Sequence, residues 1–557
     1  MIQGNLATII PEFREKYFMF FPTKATLMGN HDYDASLGRW DREGVREKIT
    51  FLEHYRDLVK GSQEIDALII KNIIDSIIFH LRHVKPYLRP DFFVNYALES
   101  IDYLIHLLEK ADDGAAKRSI VNSLVSRVNN FPVLFMQSRE WLSYTTPISR
   151  NLALYLLRFF QEFLENDYRR FIYSLPLAQE FKEKLIGVIP FTIESLSKFS
   201  DFVRSLEVIP LTHPRLRRSK SFYKALFKDK YLLDYTPDKL LEVAEKKIVS
   251  LNQDLADISG GDPETYFQSL VERNLIPYSP DTINTHLMQY FRNTSKNYFD
   301  FCSDTHFLPA DHQPTIEWTP IYKRATSPLA SYISCGPYEN LKKQGVFWVC
   351  PATEPLSRQE FDERRYLYHR QIMNSLIIHE LIGHHLQSAR VPFLEKETYK
   401  FSSNLTYDEG FALYVEETFV SAYVTALNDQ QEIDDMIFFQ KKAELMRAHR
   451  VYVDVSLGTN RISLEEATRY FFDKNALPYE TAKAECEKYY LNPGVASSYL
   501  IGKLELMELS RYLKEKFIDR FSLPLFHQGL VNYGSIPIPL IKRSMIEKLF
   551  FAENVIY

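Results

Sequence analysis

The stretch Ser375-Leu-Ile-Ile-His379-Glu380-Leu-Ile-Gly383-His384-His385-Leu-Gln387 constrains this chain more than any other feature. Three of its fifteen histidines fall within seven residues there, beside a glutamate, on an otherwise apolar helical run. A hydrolytic zinc ion takes imidazole nitrogens plus a carboxylate and keeps one position open for water. His379 offers a first ligand and Glu380 an acid/base carboxylate. In the common H-E-x-x-H helix the two histidines lie about 40° apart on one face. Here the next histidines come five and six residues after His379, and a regular helix would carry them about 140° and 120° away from it. A π-bulge returns His384 to the face of His379, and such bulges collect at functional sites. Gly383 is the residue best able to relax the backbone for it. The expected second ligand is therefore His384, with His385 the alternative.

A third ligand should come from a separate helix. Tyr407-Asp408-Glu409-Gly410-Phe411-Ala412-Leu413-Tyr414-Val415-Glu416-Glu417 lies some 25 residues downstream and opens with acids, as the helix dipole prefers. Glu409 is the expected ligand. Glu416, two turns further along the same face, is placed to orient a ligand histidine from behind. The bland alternative is a buried helix with a stray His-Glu pair beside a solvated acidic helix; clustering of His and Glu favours a site.

Composition removes other classes. With 45% apolar and 25% charged residues the chain is an ordinary globular protein, and a net charge of −5 gives no reason to expect nucleic acid. Cys302, Cys335, Cys350 and Cys486 are scattered without C-x-x-C spacing and read as reduced thiols. No basic and apolar leader opens the sequence and no run approaches a membrane span. The expected location is cytoplasmic, with leaderless secretion as the alternative.

Apolar residues recurring at three and four predict helices over 46–58, 65–84, 92–111, 115–128, 148–163 and 177–206, a scaffold with few convergent polar groups. Ser259-Gly-Gly-Asp-Pro263 is the clearest breaker. It divides a helical lobe, 1–258, from a lobe with the site, 259–557, the two behaving as one cooperative body. Helices follow over 281–301, 358–390, 406–428, 432–457 and 463–472, the last after an N-cap serine. Gly345-Val-Phe-Trp-Val-Cys-Pro351 is the strongest strand, and a strand just upstream of a zinc helix suggests an edge that receives extended substrate. The fold class is mainly α, a large multi-helix metallopeptidase-like body with a small β element beside the active-site cleft. Mid-helix Gly502 implies close packing.

Several of these segments together resemble a bacterial family known as domain of unknown function 885, regarded as gluzincin-like zinc metallopeptidases. Its pattern of His-Glu-x-x-Pro-Gly-His-His-x-Gln, Glu-Gly-Trp-Ala-x-Tyr-x-Glu and Pro-Gly-x-Ala-x-Ser-Tyr-x-x-Gly-[Lys/Arg] corresponds to 379–387, 409–416 and 493–503 here, with further similarity at 22–34 and 450–454. The chain departs from it in four ways. The proline is missing, which shortens the histidine spacing by one; Phe411 replaces tryptophan; Gly458 and Ser510 stand where histidine and arginine are usual. The resemblance implies one zinc ion and hydrolysis of a peptide or other small amide.

The expected chemistry is amide hydrolysis with His379, His384 and Glu409 as ligands and Glu380 as general base. The developing oxyanion also needs a donor, and Tyr499 comes first, Arg450 second. The competing readings are a binding protein that has lost productive metal geometry and a zinc hydrolase of a non-peptide amide or ester. Oligomeric state and substrate identity are not encoded in these patterns.

Overall fold

The computed structural model describes residues 5–216, 218–276, 282–324, 329–340, 345–352, 367–475 and 477–547. Helices dominate, as the periodicity predicts, and the chain forms two compact units: 1–217 with 335–343, and 218–334 with 344–557.

In the first unit the helices begin where short polar side chains can bond the exposed N–H groups of a first turn. Asp41 accepts from the Gly44 N–H ahead of Arg42–Leu58, and Asp113 from the Ala116 N–H ahead of Gly114–Asn129. The helix predicted over 177–206 is two, Gln179–Gly187 and Ile189–Ser205. Pro190 explains the break, because it has no N–H to extend the earlier helix and fits the first turn of a new one. Phe13, Phe18, Phe93, Leu104 and Phe131 are fully buried in this unit.

The second unit begins near residue 218, so the Gly-Gly breaker is not its boundary. Gly260 and Gly261 take φ of 69° and 103°, and the Gly261 N–H returns to the Ala256 carbonyl at 2.8 Å. This is a helix C-terminus in the left-handed conformation that glycine adopts at little cost. It turns Pro237–Ser259 directly into Pro263–Asn274, and Pro237–Ser259 packs along the helix Gln430–Gly458. Ser463 and Glu466 form a reciprocal capping box ahead of Leu464–Asn475.

Val346–Val349 is a strand, buried at every position. It is the centre of its sheet, parallel to Thr315–Trp318 on one side and antiparallel to Ala330–Ile333 on the other. The expectation that this strand offers an edge to substrate is therefore corrected: both of its ladders are occupied, in keeping with its uninterrupted apolar run.

The histidine segment was expected over 358–390. Its start, at 358, lies outside the described residues; the described part runs as an α-helix Arg370–Ile377, a π-helix Ile378–His385 and a short α-helix Leu386–Ser388. It packs on the carboxylate helix Leu405–Tyr423, which in turn packs on the tyrosine helix Val495–Lys516. Small residues set both distances. A Cβ on Gly383 would lie 2.9 Å from Ala412, and one on Gly410 would lie 2.5 Å from the Gly502 backbone. Gly383 thus serves close helix approach, and its backbone takes no left-handed angle. Among the described residues no helix is long and apolar enough to cross a membrane.

Candidate metal centre

A π-helix bonds residue i to i+5, so residues five apart stack on one face. That brings His379 and His384 together, with ring centroids 4.8 Å apart and planes at 90°. Glu409, near the start of the carboxylate helix, points one oxygen between them: Oε2 lies 3.5 Å from His379 Nε2 and 3.5 Å from His384 Nε2. The three potential ligand atoms all lie within 4.8 Å of one another.

The donor set suits zinc, two imidazole nitrogens and one carboxylate oxygen. Ligands about 2.0–2.1 Å from a tetrahedral ion lie roughly 3.3–3.4 Å from each other, close to the 3.5 Å between Glu409 Oε2 and each imidazole nitrogen. A second observation points the same way. Glu409 Oε2 is buried and has no hydrogen-bond partner, an expensive arrangement for a carboxylate unless something cationic meets it. His379, His384 and Glu409 therefore can hold a divalent ion.

Glu416 stands where the spacing predicted. His379 Nδ1–H donates to its Oε1 at 2.7 Å, which turns Nε2 toward Glu409; in the neutral ring that a metal ion requires, this bond selects the tautomer with the Nε2 lone pair free. Burial disfavours charge on Glu416, but Arg447, 3.6 Å away, together with His379 holds its carboxyl below the usual range. Burial likewise opposes a charged His379, yet the Glu409 and Glu416 carboxylates outweigh it and push its pKa up to about 10. Glu409 is held well below the ordinary carboxylate range, the two imidazoles overcoming its burial.

His385 is not a ligand. Its Nδ1 lies 3.0 Å from the Tyr332 hydroxyl and its Nε2 2.7 Å from the His312 carbonyl oxygen, so both ring nitrogens are engaged away from Glu409. Glu380 is half-buried on the π-helix next to His379. The Tyr499 ring lies nearly parallel to that of His379, at 6.4 Å and 11°, and burial and the Glu409 charge raise its hydroxyl pKa. Arg450 sits 6.0 Å from the Tyr499 ring centroid and pairs with Glu485 at 3.1 Å. The structure thus gathers all three expected ligands, and both oxyanion candidates stand close by.

Other residues hold this arrangement whose roles the sequence did not reveal. Gln387 Nε2 donates to Asp408 at 2.9 Å, tying the end of the histidine segment to the start of the carboxylate helix. Lys503 is fully buried, 2.5 Å from Glu417 and paired also with Glu444, so one ammonium joins three helices. Asp454 accepts from the Gly494 and Ser497 N–H groups at 3.0 and 3.1 Å, from Ser497 Oγ at 2.6 Å and from the Tyr223 hydroxyl at 2.8 Å. It thereby caps the helix that carries Tyr499. A lysine inside an apolar helix was the available signal for Lys503; Asp454 closes the 450–454 segment, but its capping role depends on residues forty and more positions away.

The family model described as bacterial protein of unknown function, DUF885, matches residues 22–545. The chain belongs to the DUF885 family. A comparison with curated proteins found no match. Two solved structures are similar to this DUF885 chain over nearly its whole length. One, from Shewanella oneidensis and described as a putative lipoprotein of unknown function, is 17% identical with a TM-score of 0.75, covering 98% of this chain and 100% of that one. The other, described as a putative lipoprotein from Colwellia psychrerythraea, is 17% identical with a TM-score of 0.76, covering 98% of each. At that identity the likeness speaks to the fold. Both descriptions point those proteins to the cell envelope, and the cytoplasmic expectation is withdrawn on that finding.

One departure from the DUF885 pattern has a structural reason. A Cβ on Gly458 would lie 2.0 Å from the Tyr223 hydroxyl. In this DUF885 chain the space that a histidine at 458 would need is filled by a tyrosine bonded to Asp454.

Proposed function

We propose that this protein is a zinc-dependent hydrolase with a metallopeptidase-like body, cleaving amide bonds in peptides. The observation that carries the reading is the buried, partnerless Oε2 of Glu409 held between two imidazole nitrogens, with a carboxylate, Glu380, next in the chain to one of them.

His379, His384 and Glu409 would hold the ion, and Glu416 would keep His379 oriented toward it. Zinc supplies Lewis acidity, polarising a carbonyl and lowering the pKa of water toward about 7. Glu380 takes the proton of the attacking water and later delivers it to the leaving amine. Tyr499 is the donor for the developing oxyanion: its ring packs parallel to His379 and its helix is held at Asp454. Arg450, already paired with Glu485, supports Tyr499 and is the less available donor.

The test is digestion of a peptide library by purified protein, with chelator and after zinc is restored, beside metal analysis of the same sample. Cleavage that disappears with chelator and returns with zinc supports the reading. Bound zinc with no cleavage of any peptide would favour a non-peptide amide or ester substrate, and absence of bound metal after zinc loading refutes the proposal.

A further inference from the structure

His384 and His385 are chain neighbours with different surroundings. π-Helices are rare, and relaxing Ile378–His385 to an α-helix would swing His384 to about 140° from His379. The segment needs support at its C-terminal end, and His385 is the last residue of the π stretch. Its Nε2–H donates to the His312 carbonyl at 2.7 Å. That leaves Nδ1 of a neutral ring as the acceptor for the Tyr332 hydroxyl, at 3.0 Å. Tyr332 belongs to the strand Ala330–Ile333 and lies 2.9 Å from Ser388 Oγ as well. Space for its hydroxyl comes from Gly345, just ahead of the central strand, where a Cβ would lie 2.0 Å from the Tyr332 oxygen. Three separate segments therefore converge on one imidazole, which is buried at 1% exposure and packed against the Phe299 ring.

We propose that His385 is a positioning residue that holds the π register of the histidine segment. Anchored to the sheet through Tyr332 and to the chain at His312, it keeps His384 on the side of Glu409. The inference rests on the metal reading above and adds to it what holds the ligand spacing in place.

The test measures zinc affinity and the visible spectrum of the cobalt-substituted full-length protein. His385→Leu keeps apolar volume and removes both bonds, and Tyr332→Phe removes one. Gly345→Ala displaces the hydroxyl from outside the helix. Zinc affinity is expected to fall roughly 10–100-fold in His385→Leu, the range seen when partners of metal ligands are removed, and less in the other two. The cobalt bands should change intensity as His384 leaves the ion, and His385→Asn, which still donates to the carbonyl, should recover part of the loss. Unchanged affinity and cobalt spectrum in His385→Leu overturn the proposal. If that variant does not fold, unchanged affinity in both Tyr332→Phe and Gly345→Ala overturns it. A wild-type protein that takes up no divalent cation removes the metal reading itself, an outcome distinct from a variant matching wild type.

Discussion

Among the described residues two clusters join histidine to carboxylates, and they are built to opposite ends. In the first unit His31 is saturated: Nδ1 lies 2.9 Å from Asp34 Oδ2 and Nε2 3.1 Å from Glu339 Oε2, while the Tyr103 hydroxyl donates to the same Glu339 oxygen at 3.2 Å. In the second unit His379 spends Nδ1 on Glu416, while its Nε2 and that of His384 each lie 3.5 Å from Oε2 of Glu409, which accepts no hydrogen bond. Buried polar groups in folded proteins are normally paired. The first cluster obeys that rule and reads as a fastener, docking 335–340 onto the turn at Gly29. There the Tyr338 N–H bonds the Met28 carbonyl at 2.9 Å, and a Cβ on Gly29 would lie 2.3 Å from the Glu339 nitrogen. The second breaks the rule at the point where a cation would repair it. Residue type alone does not separate fastener from site; unspent bonding capacity does.

The largest effect that can break this comparison is on turnover. Glu380→Gln should keep zinc at wild-type stoichiometry and lower kcat by about 10²–10⁴-fold, the usual range for a general base, read by peptide hydrolysis beside metal analysis. Hydrolysis at the wild-type rate would remove Glu380 from the mechanism. Next comes metal itself. His379→Ala or Glu409→Gln should abolish zinc binding and with it the protection zinc gives against unfolding, about 4 kcal/mol when free zinc is a thousandfold above Kd. His31→Gln should leave zinc binding untouched. Zinc lost equally from both sets of variants would mean the two clusters are not different in kind.

The three converging residues were legible in the sequence because the spacing within each of their two helices is local. Two turns of one helix relate Glu409 to Glu416, and a five-residue spacing interrupted by glycine left a π-helix as the way to use His384. What could not be read depends on partners far along the chain. Gly383 suggested backbone freedom, whereas its role is set by Ala412, nearly thirty residues away. Val346–Val349 was recognisable as a strand from its apolar run, but its central position comes from neighbours whose own burial is only partial at every residue. The Gly-Gly turn looked like a linker because helix hairpins and domain seams use the same residues. His385 kept its candidacy until the carbonyl of His312 and the Tyr332 hydroxyl accounted for both its nitrogens.

A smaller effect concerns the residues behind the ligands. Glu416→Gln keeps the shape of the side chain and an acceptor for His379 Nδ1–H but removes its charge. Zinc affinity should fall about tenfold, the low end for such partners, while Glu416→Ala approaches a hundredfold. Equilibrium dialysis against zinc measures both. Equal, wild-type affinity in the two would mean that the hydrogen bond at 2.7 Å does nothing for the ion.

The smallest predicted effect is on the fastener and is visible only as a function of pH. Burial favours neutral His31, but hydrogen bonds to the Asp34 and Glu339 carboxylates outweigh it and push its pKa up to about 10. The ordinary value is about 6.5, so the folded state holds this proton more tightly than the unfolded chain. Its contribution to stability is fully present below about pH 6.5 and is lost as pH rises toward 10. The side chain keeps 29% of its exposure, so solvent screening reduces the contribution to on the order of 1 kcal/mol. Other groups titrate in the same window, Lys48 among them, with burial lowering its pKa to about 8. The useful quantity is therefore the difference between wild type and His31→Gln in thermal unfolding, measured from pH 6 to 10. That difference should shrink steadily with rising pH; a constant difference would mean that the His31 cluster is held by shape and neutral hydrogen bonds, without the ion pairs.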